Sequence, residues 1–309
     1  MMALNFQSQP ASAAEYLPSP GKEASSASQE NQLLAEEPLE AGDPMLTKAT
    51  ALLDRYGGVI FTGPPGTSKS YWARRIGTTL VEGDEDRIAF LQFHPAYQYE
   101  DFMQGIAPQG DGTFKPVDKP FLQMCRDASE DPQERTYVIV IDELSRADPG
   151  RVFGEALTYV EKSKRGVRFQ TALDSEKQVQ VPANLAILAT MNPRDRGVDE
   201  VDAAFERRFA KIAMEPDRAI AEQFLEEGGL DEDLRRRVLG FFDDANRRAK
   251  KNSLAALGHT FFIDLADKTD LESLWEHQLR FLFEKAYRLN PAELEEIEKI
   301  WQRIFRDAT

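Results

Sequence analysis

The residues whose types and spacing could do chemistry begin with Gly63-Pro64-Pro65-Gly66-Thr67-Ser68-Lys69-Ser70. They follow the apolar run Val59-Ile60-Phe61-Thr62 and precede a segment of helical character from Tyr71 to Leu80. Strand, glycine-containing loop and helix in that order make a phosphate cradle. The N–H groups of the loop and of the helix N-terminus converge on anionic oxygens, and the helix dipole favours their charge. In such a loop Lys69 reaches the β- and γ-phosphates of a nucleoside triphosphate, and the Ser70 hydroxyl ligates Mg²⁺. One position departs from the usual pattern: Ser68 stands where glycine is common, so its Cβ is a cost if the backbone needs positive φ.

A second set of groups follows the run Tyr137-Val138-Ile139-Val140-Ile141, which ends in Asp142-Glu143. A continuous β-branched run suits a strand covered on both faces of a parallel sheet, and open α/β sheets place ligands at the carboxyl ends of their strands. There Asp142 would hold Mg²⁺ through its water shell, and Glu143 would orient and polarise an attacking water. A third strand, Leu185 to Thr190, leads into Met191-Asn192-Pro193-Arg194-Asp195-Arg196. An amide at that tip, Asn192, could hold the water or the γ-phosphate. The adjacent Arg207 and Arg208 could meet a nucleotide held by a neighbouring subunit. Taken singly, these last groups also fit a turn asparagine and arginines paired with surface acids.

The elements that must position these groups are legible from patterning. Residues 1–44 carry seven acidic residues against Lys22 alone and few apolar ones, the composition of a disordered tail. From residue 45 to 216 an α/β core is expected, with strands at 59–62, 88–93, 137–141, 185–190 and 211–214. Gly105 to Thr113 reads as a loop. Alternation across 163–181 suggests an inserted β-hairpin whose first limb is basic, with Lys162, Lys164, Arg165 and Arg168. Residues 217–309 read as helices throughout, with long ones over 231–251 and 271–287, and a capped last one after Asn290.

Composition narrows the class. A net charge of −15 argues against a strong nucleic-acid binder acting through its overall field. The single cysteine, Cys125, excludes an intrachain disulfide framework and fits a reducing cytoplasm. No basic and apolar leader opens Met1 to Tyr16, and no apolar run reaches the length of a membrane span. A cytoplasmic protein is expected.

Several motifs together resemble one family. They are residues 63–70, Phe93-His94-Pro95-Ala96-Tyr97-Gln98-Tyr99-Glu100-Asp101-Phe102, Asp142-Glu143-Leu144-Ser145-Arg146-Ala147, Phe153-Gly154-Glu155, Met191-Asn192-x-x-Asp195-Arg196 and Arg207-Arg208-Phe209. From about residue 50 to 290 the chain is similar to the McrB-like AAA+ nucleoside triphosphatases of modified-cytosine restriction systems. The resemblance implies an αβα sandwich with a five-stranded parallel sheet and a C-terminal helical lid. It also implies a hexameric ring with nucleotide at each subunit interface, Mg²⁺, and ATP or GTP as substrate. By the same resemblance Asn192 senses the γ-phosphate. Asp195 and Arg196 belong to the signature through which a McrC-like nuclease stimulates hydrolysis, and Arg207 or Arg208 is the arginine finger. Gly258-His259-Thr260-Phe261-Phe262 resembles the family's lid segment. Ser68 replaces a glycine, Ser145 replaces an asparagine, and the family's module for reading methylated DNA is not found in residues 1–309. The expected function is a Mg²⁺-dependent motor powering a partner nuclease on DNA, in restriction or antiviral defence, with DNA met through the ring or the partner. The alternatives are a MoxR-like remodelling chaperone and a non-hydrolysing nucleotide-gated scaffold.

Overall fold

The computed structural model describes residues 38–193 and 202–305. Nine strands are described: β1 (Gly58–Thr62), β2 (Ile88–Gln92), β3 (Gln104–Pro108), β4 (Phe114–Asp118), β5 (Tyr137–Asp142), β6 (Arg168–Gln170), β7 (Gln178–Gln180), β8 (Leu185–Met191) and β9 (Phe209–Ala213). Five of them form one sheet in the order β2-β5-β8-β1-β9, and every pairing is parallel. β5 is buried along Tyr137–Ile141, as its uninterrupted apolar run requires of a central strand. In the register, Ile141 lies beside Ala189 and Thr62 beside Met191. The chain therefore leaves β1, β8 and β5 at one edge, with their next residues adjacent.

Two apolar layers cover the sheet. On one face α1 (Pro44–Leu53) and α2 (Lys69–Leu80) pack Leu53, Ala73 and Ile76 against Val59, Phe61 and Val140. On the other, α3 (Pro120–Glu130) joins a chain of rings. Phe102 lies 4.9 Å from Phe121 and 4.7 Å from Phe153, and Phe153 continues to Phe205 at 5.4 Å. Cys125 sits in this layer, where burial pushes its thiol far up from the ordinary value. At the start of the described chain Leu39 is buried, and its N–H donates to Thr79 Oγ1 at 2.7 Å.

Five longer helices follow β9: α4 (Arg218–Glu227), α5 (Glu232–Ala249), α6 (Lys268–Leu274), α7 (Arg280–Ala286) and α8 (Pro291–Gln302). They enclose a separate core around Phe241, Phe283 and Trp301. The helix expected over 271–287 is interrupted, because Trp275–Leu279 widens into a π-helical stretch between α6 and α7. No helix among the described residues is long and apolar enough to cross a membrane.

A further local expectation is corrected. Gly105 to Thr113 is not a simple loop, since β3 and β4 pair antiparallel from Gln104–Asp118 to Pro108–Phe114. Pro108 and Pro116 hid the strand pattern, and Gly110 and Gly112 belong only to its tip. Arg165, one of the basic residues of the 163–181 insert, turns its guanidinium inward. It donates to Val160 O, Pro182 O, Leu185 O and Gly57 O at 2.7–3.0 Å, and desolvation lowers its pKa to about 10. It ties the far end of the sheet to the insert. Arg165→Met would leave these carbonyls without their donor, and unfolding in urea should show a loss of about 3 kcal/mol. A midpoint unchanged from wild type would mean that water replaces the guanidinium at no cost.

Candidate nucleotide site

At the sheet edge, the loop after β1 turns into α2 without a side-chain cap, so the first N–H groups of that helix are left facing the loop. Lys69 Nζ folds back to donate to Pro64 O at 2.7 Å. Its pKa is lowered, first by desolvation, while the nearby carboxylates of Glu143 and Asp142 oppose the shift. Thr67 is buried, and its Oγ1 donates to Pro64 O at 2.9 Å. These two bonds close the loop on itself.

The carboxylates sit where the register brings them. Ser70 Oγ donates to Asp142 Oδ1 at 2.7 Å, and Thr190 Oγ1 donates to the same oxygen. Thr190 Oγ1 also accepts the N–H of Glu143 at 3.1 Å. Thr190 thus links β8 to both acids, a role that sequence reading missed. Its signal was its place one residue before Met191-Asn192, level with Asp142 across the sheet. Glu143 has φ 55° and ψ 42°, the left-handed region that costs a non-glycine residue on the order of 1 kcal/mol. Its side chain is held by Arg146, Nε to Oε2 at 3.2 Å. Ser145 is buried, and its Oγ has no hydrogen-bond partner among the described residues.

Ser68 is also left-handed, with φ 59° and ψ 26°, so the cost anticipated for its Cβ is present. Its Oγ meets His259 Nε2 at 2.9 Å. His259 Nδ1 accepts the N–H of Asp217 at 3.2 Å, so the hydrogen of the neutral imidazole lies on Nε2 and is donated to Ser68. Next to it, Thr260 N–H donates to Gly66 O at 3.0 Å. Gly258 must be glycine for this approach, since a Cβ there would stand 2.1 Å from Gly66 O.

Beside the loop opens a cleft of about 910 Å³. Gly63, Pro64, Pro65, Glu143, Arg146 and Asn192 line its sheet side. Lys250 and Lys285, at the ends of α5 and α7, line the helical side; both are exposed, and sequence reading had not singled them out. Lys69, Ser70, Asp142, Glu143 and Asn192 are therefore gathered at one edge. Arg207 is exposed, whereas Arg208 is half-buried, donates from Nη1 to Ala204 O and keeps Nε buried without a partner. Neither arginine lines the cleft. Asp195 and Arg196 lie outside the described residues.

A parallel sheet with strand order β2-β5-β8-β1-β9, a P-loop motif after β1 and paired acids at the end of β5 are the marks of a P-loop nucleoside triphosphatase domain. Residues 58–209 match the profile of the AAA domain (dynein-related subfamily), and the chain carries a domain of that family. It is 33% identical over 234 residues to the type IV methyl-directed restriction enzyme EcoKMcrB subunit of Escherichia coli (strain K12), covering 72% of this chain and 50% of that protein. It is 26% identical over 193 residues to the type II restriction enzyme BsuMI component YdiS of Bacillus subtilis (strain 168), covering 49% and 55%. The chain spans about half the length of these curated relatives. Among solved structures, NtrX from Brucella abortus matches at a TM-score of 0.38 and 11% identity, covering 69% of this chain and 49% of that one.

Burial lowers the pKa of His259 from the ordinary 6.5, against a smaller opposing pull from Asp217. A histidine depressed in the folded state leaves the unfolded chain to take up the proton first. Its contribution to stability is therefore complete above about pH 6.5 and is lost as the pH falls through the depressed value. Chemical denaturation at pH 7.5 and pH 5.5 should show a smaller acid loss for His259→Gln than for wild type. Equal losses would remove His259 from the acid response.

Proposed function

We propose that this chain is a Mg²⁺-dependent AAA+ nucleoside triphosphatase of the McrB type, the motor subunit of a restriction system that drives a partner nuclease on DNA. The reading is carried by the meeting of Lys69, Ser70, Asp142, Glu143 and Asn192 at one sheet edge, beside a cleft large enough for a nucleotide. Both curated relatives are named as restriction-enzyme components, which favours this reading over a remodelling chaperone.

The chemistry follows from the side chains. Lys69 gives its ammonium to the β- and γ-phosphates, and the loop N–H groups hold the remaining oxygens. Ser70 Oγ and Asp142 Oδ1 offer the hard oxygen donors that suit Mg²⁺, an ion that fills the rest of its coordination with water and phosphate. When bound, Mg²⁺ neutralises charge on the β- and γ-phosphates. Glu143 orients the attacking water and draws its proton, while the Asn192 amide holds that water or the γ-phosphate. Arg207 or Arg208 completes the site from a neighbouring protomer in a hexameric ring. Of the two, the exposed Arg207 is freer to cross, because Arg208 is engaged with its own helix. Residues 217–309 act as the lid. Asp195 and Arg196 belong to the signature through which a McrC-like nuclease stimulates hydrolysis, in the cytoplasm.

Glu143→Gln should still bind Mg·ATP or Mg·GTP while its turnover falls by about a hundredfold or more, and Lys69→Ala should lose binding. Side-by-side phosphate release from both nucleotides reads this and identifies the substrate. Hydrolysis that continues unchanged in Glu143→Gln would sink the mechanism.

The ring has its own test. Subunits carrying Arg207→Ala and Arg208→Ala, mixed with Glu143→Gln subunits, should regain turnover at interfaces that combine an intact glutamate with an intact arginine pair. No recovery at any mixing ratio counts against an arginine acting across subunits.

A further inference from the structure

A left-handed serine inside a phosphate cradle needs something to hold it there. Glycine would adopt φ 59° without cost, whereas serine pays for its Cβ and is stable only if its surroundings over-determine it. The hydroxyl of Ser68 provides the handle, because it accepts from His259 Nε2 at 2.9 Å. The imidazole is itself fixed from behind. Its Nδ1 takes the N–H of Asp217, the residue that caps α4 through Ala219 and Ile220. Residue 217 lies three positions beyond Met214, whose N–H donates to Thr62 O and so extends the edge of the sheet. Three segments thus meet on one buried ring: the cradle, the connection out of β9, and residues 258–262.

The segment that carries the ring is anchored independently to the C-terminal helices. Asn246 on α5 grips Leu257 with both ends of its amide, at 3.0 Å to the carbonyl and 2.9 Å from the N–H. Phe262 packs edge-on against Phe242 at 5.7 Å. Thr260 N–H then secures Gly66 O, two residues before Ser68. The cradle is therefore gripped at residues 66 and 68 by a segment whose own position is set by α5.

We propose that His259 is a positioning residue for nucleotide binding: through Ser68 it holds the cradle amides in register and ties their geometry to the C-terminal helices. This rests on reading residues 63–70 as the nucleotide cradle. Ser68 and His259 then form a functional pair. The serine supplies the hydroxyl, and the histidine offsets the conformational cost of having a serine there. In this proposal His259 acts on bound phosphate only through Ser68.

A double-mutant cycle on the full-length protein separates this from simple packing. Without nucleotide, hydrogen exchange of residues 66–70 should accelerate about tenfold in His259→Ala when position 68 is serine, and by less than about twofold when it is glycine. Ser68→Ala should behave like His259→Ala, and His259→Gln, which keeps a donor, should stay close to wild type. Equal acceleration by His259→Ala in both backgrounds overturns the proposal. If His259→Ala does not fold, protection lost in His259→Gln but retained in Ser68→Ala overturns it instead. Dissociation constants for fluorescent Mg·ATP and Mg·GTP analogues should follow the same pattern across the cycle. A wild-type chain that binds neither analogue refutes the cradle reading. Tight wild-type binding with equal His259→Ala penalties in both backgrounds refutes the joint alone.

Discussion

The structure depends on one carboxylate oxygen. Asp142 Oδ1 accepts from Ser70 at the head of α2 and from Thr190 near the tip of β8, while Asp142 itself ends β5. Three elements far apart in sequence are fixed by a single acceptor at the point where the sheet stops. A charged acceptor roughly doubles the strength of each bond relative to a neutral one, and partial burial protects both from water. Without it, the loop after β1 and the acids at the end of β5 would share an edge but no common geometry. The register makes this possible, because Ile141 beside Ala189 sets the next residues of the two strands side by side.

The sheet was legible because its strands are continuous apolar runs, and runs of that kind leave little choice of element or layer. Strand order was not legible from periodicity. It depends on which faces α1, α2 and α3 cover, a property of the packed whole. The chemistry-bearing types were visible as motifs, since a glycine-containing loop and an acid pair at a strand end have few other uses. What stayed hidden was everything that holds them. Thr190 looked like the last residue of a strand and Arg165 like one member of a basic limb, while Lys250 and Lys285 carried no signal of their own. Thr190 and Arg165 acquire their roles chiefly from neighbours more than ten residues away. The β3–β4 hairpin was masked for a local reason, because two prolines and a glycine tip outweighed a weak alternation.

Two left-handed residues show how the edge stores strain. Ser68 and Glu143 both have positive φ without being glycine, and both occupy positions with chemistry assigned to them. They are restrained in different ways. Glu143 is pinned by its own N–H to Thr190 and by its carboxylate to Arg146, all within the α/β core. Ser68 is pinned by a histidine from the helical segment after α5. A motion that shifts the C-terminal helices relative to the sheet would therefore release Ser68 and leave Glu143 in place. The restraint on Ser68 thus comes from outside the α/β core, and the restraint on Glu143 from within it.

The charge distribution fits the same division. A chain of net charge −15 should repel a polyanion at long range, yet the described cleft is lined by Arg146, Lys250 and Lys285 against Glu143 and Glu215. Charges beyond a Debye length of about 8 Å are largely screened at physiological ionic strength, so the local set decides. Two of the three cations stand on the helical side, across the cleft from the cradle. On the nucleotide reading proposed above, a triphosphate on the cradle would meet those two lysines across the cleft, and their charge would add to that of Lys69.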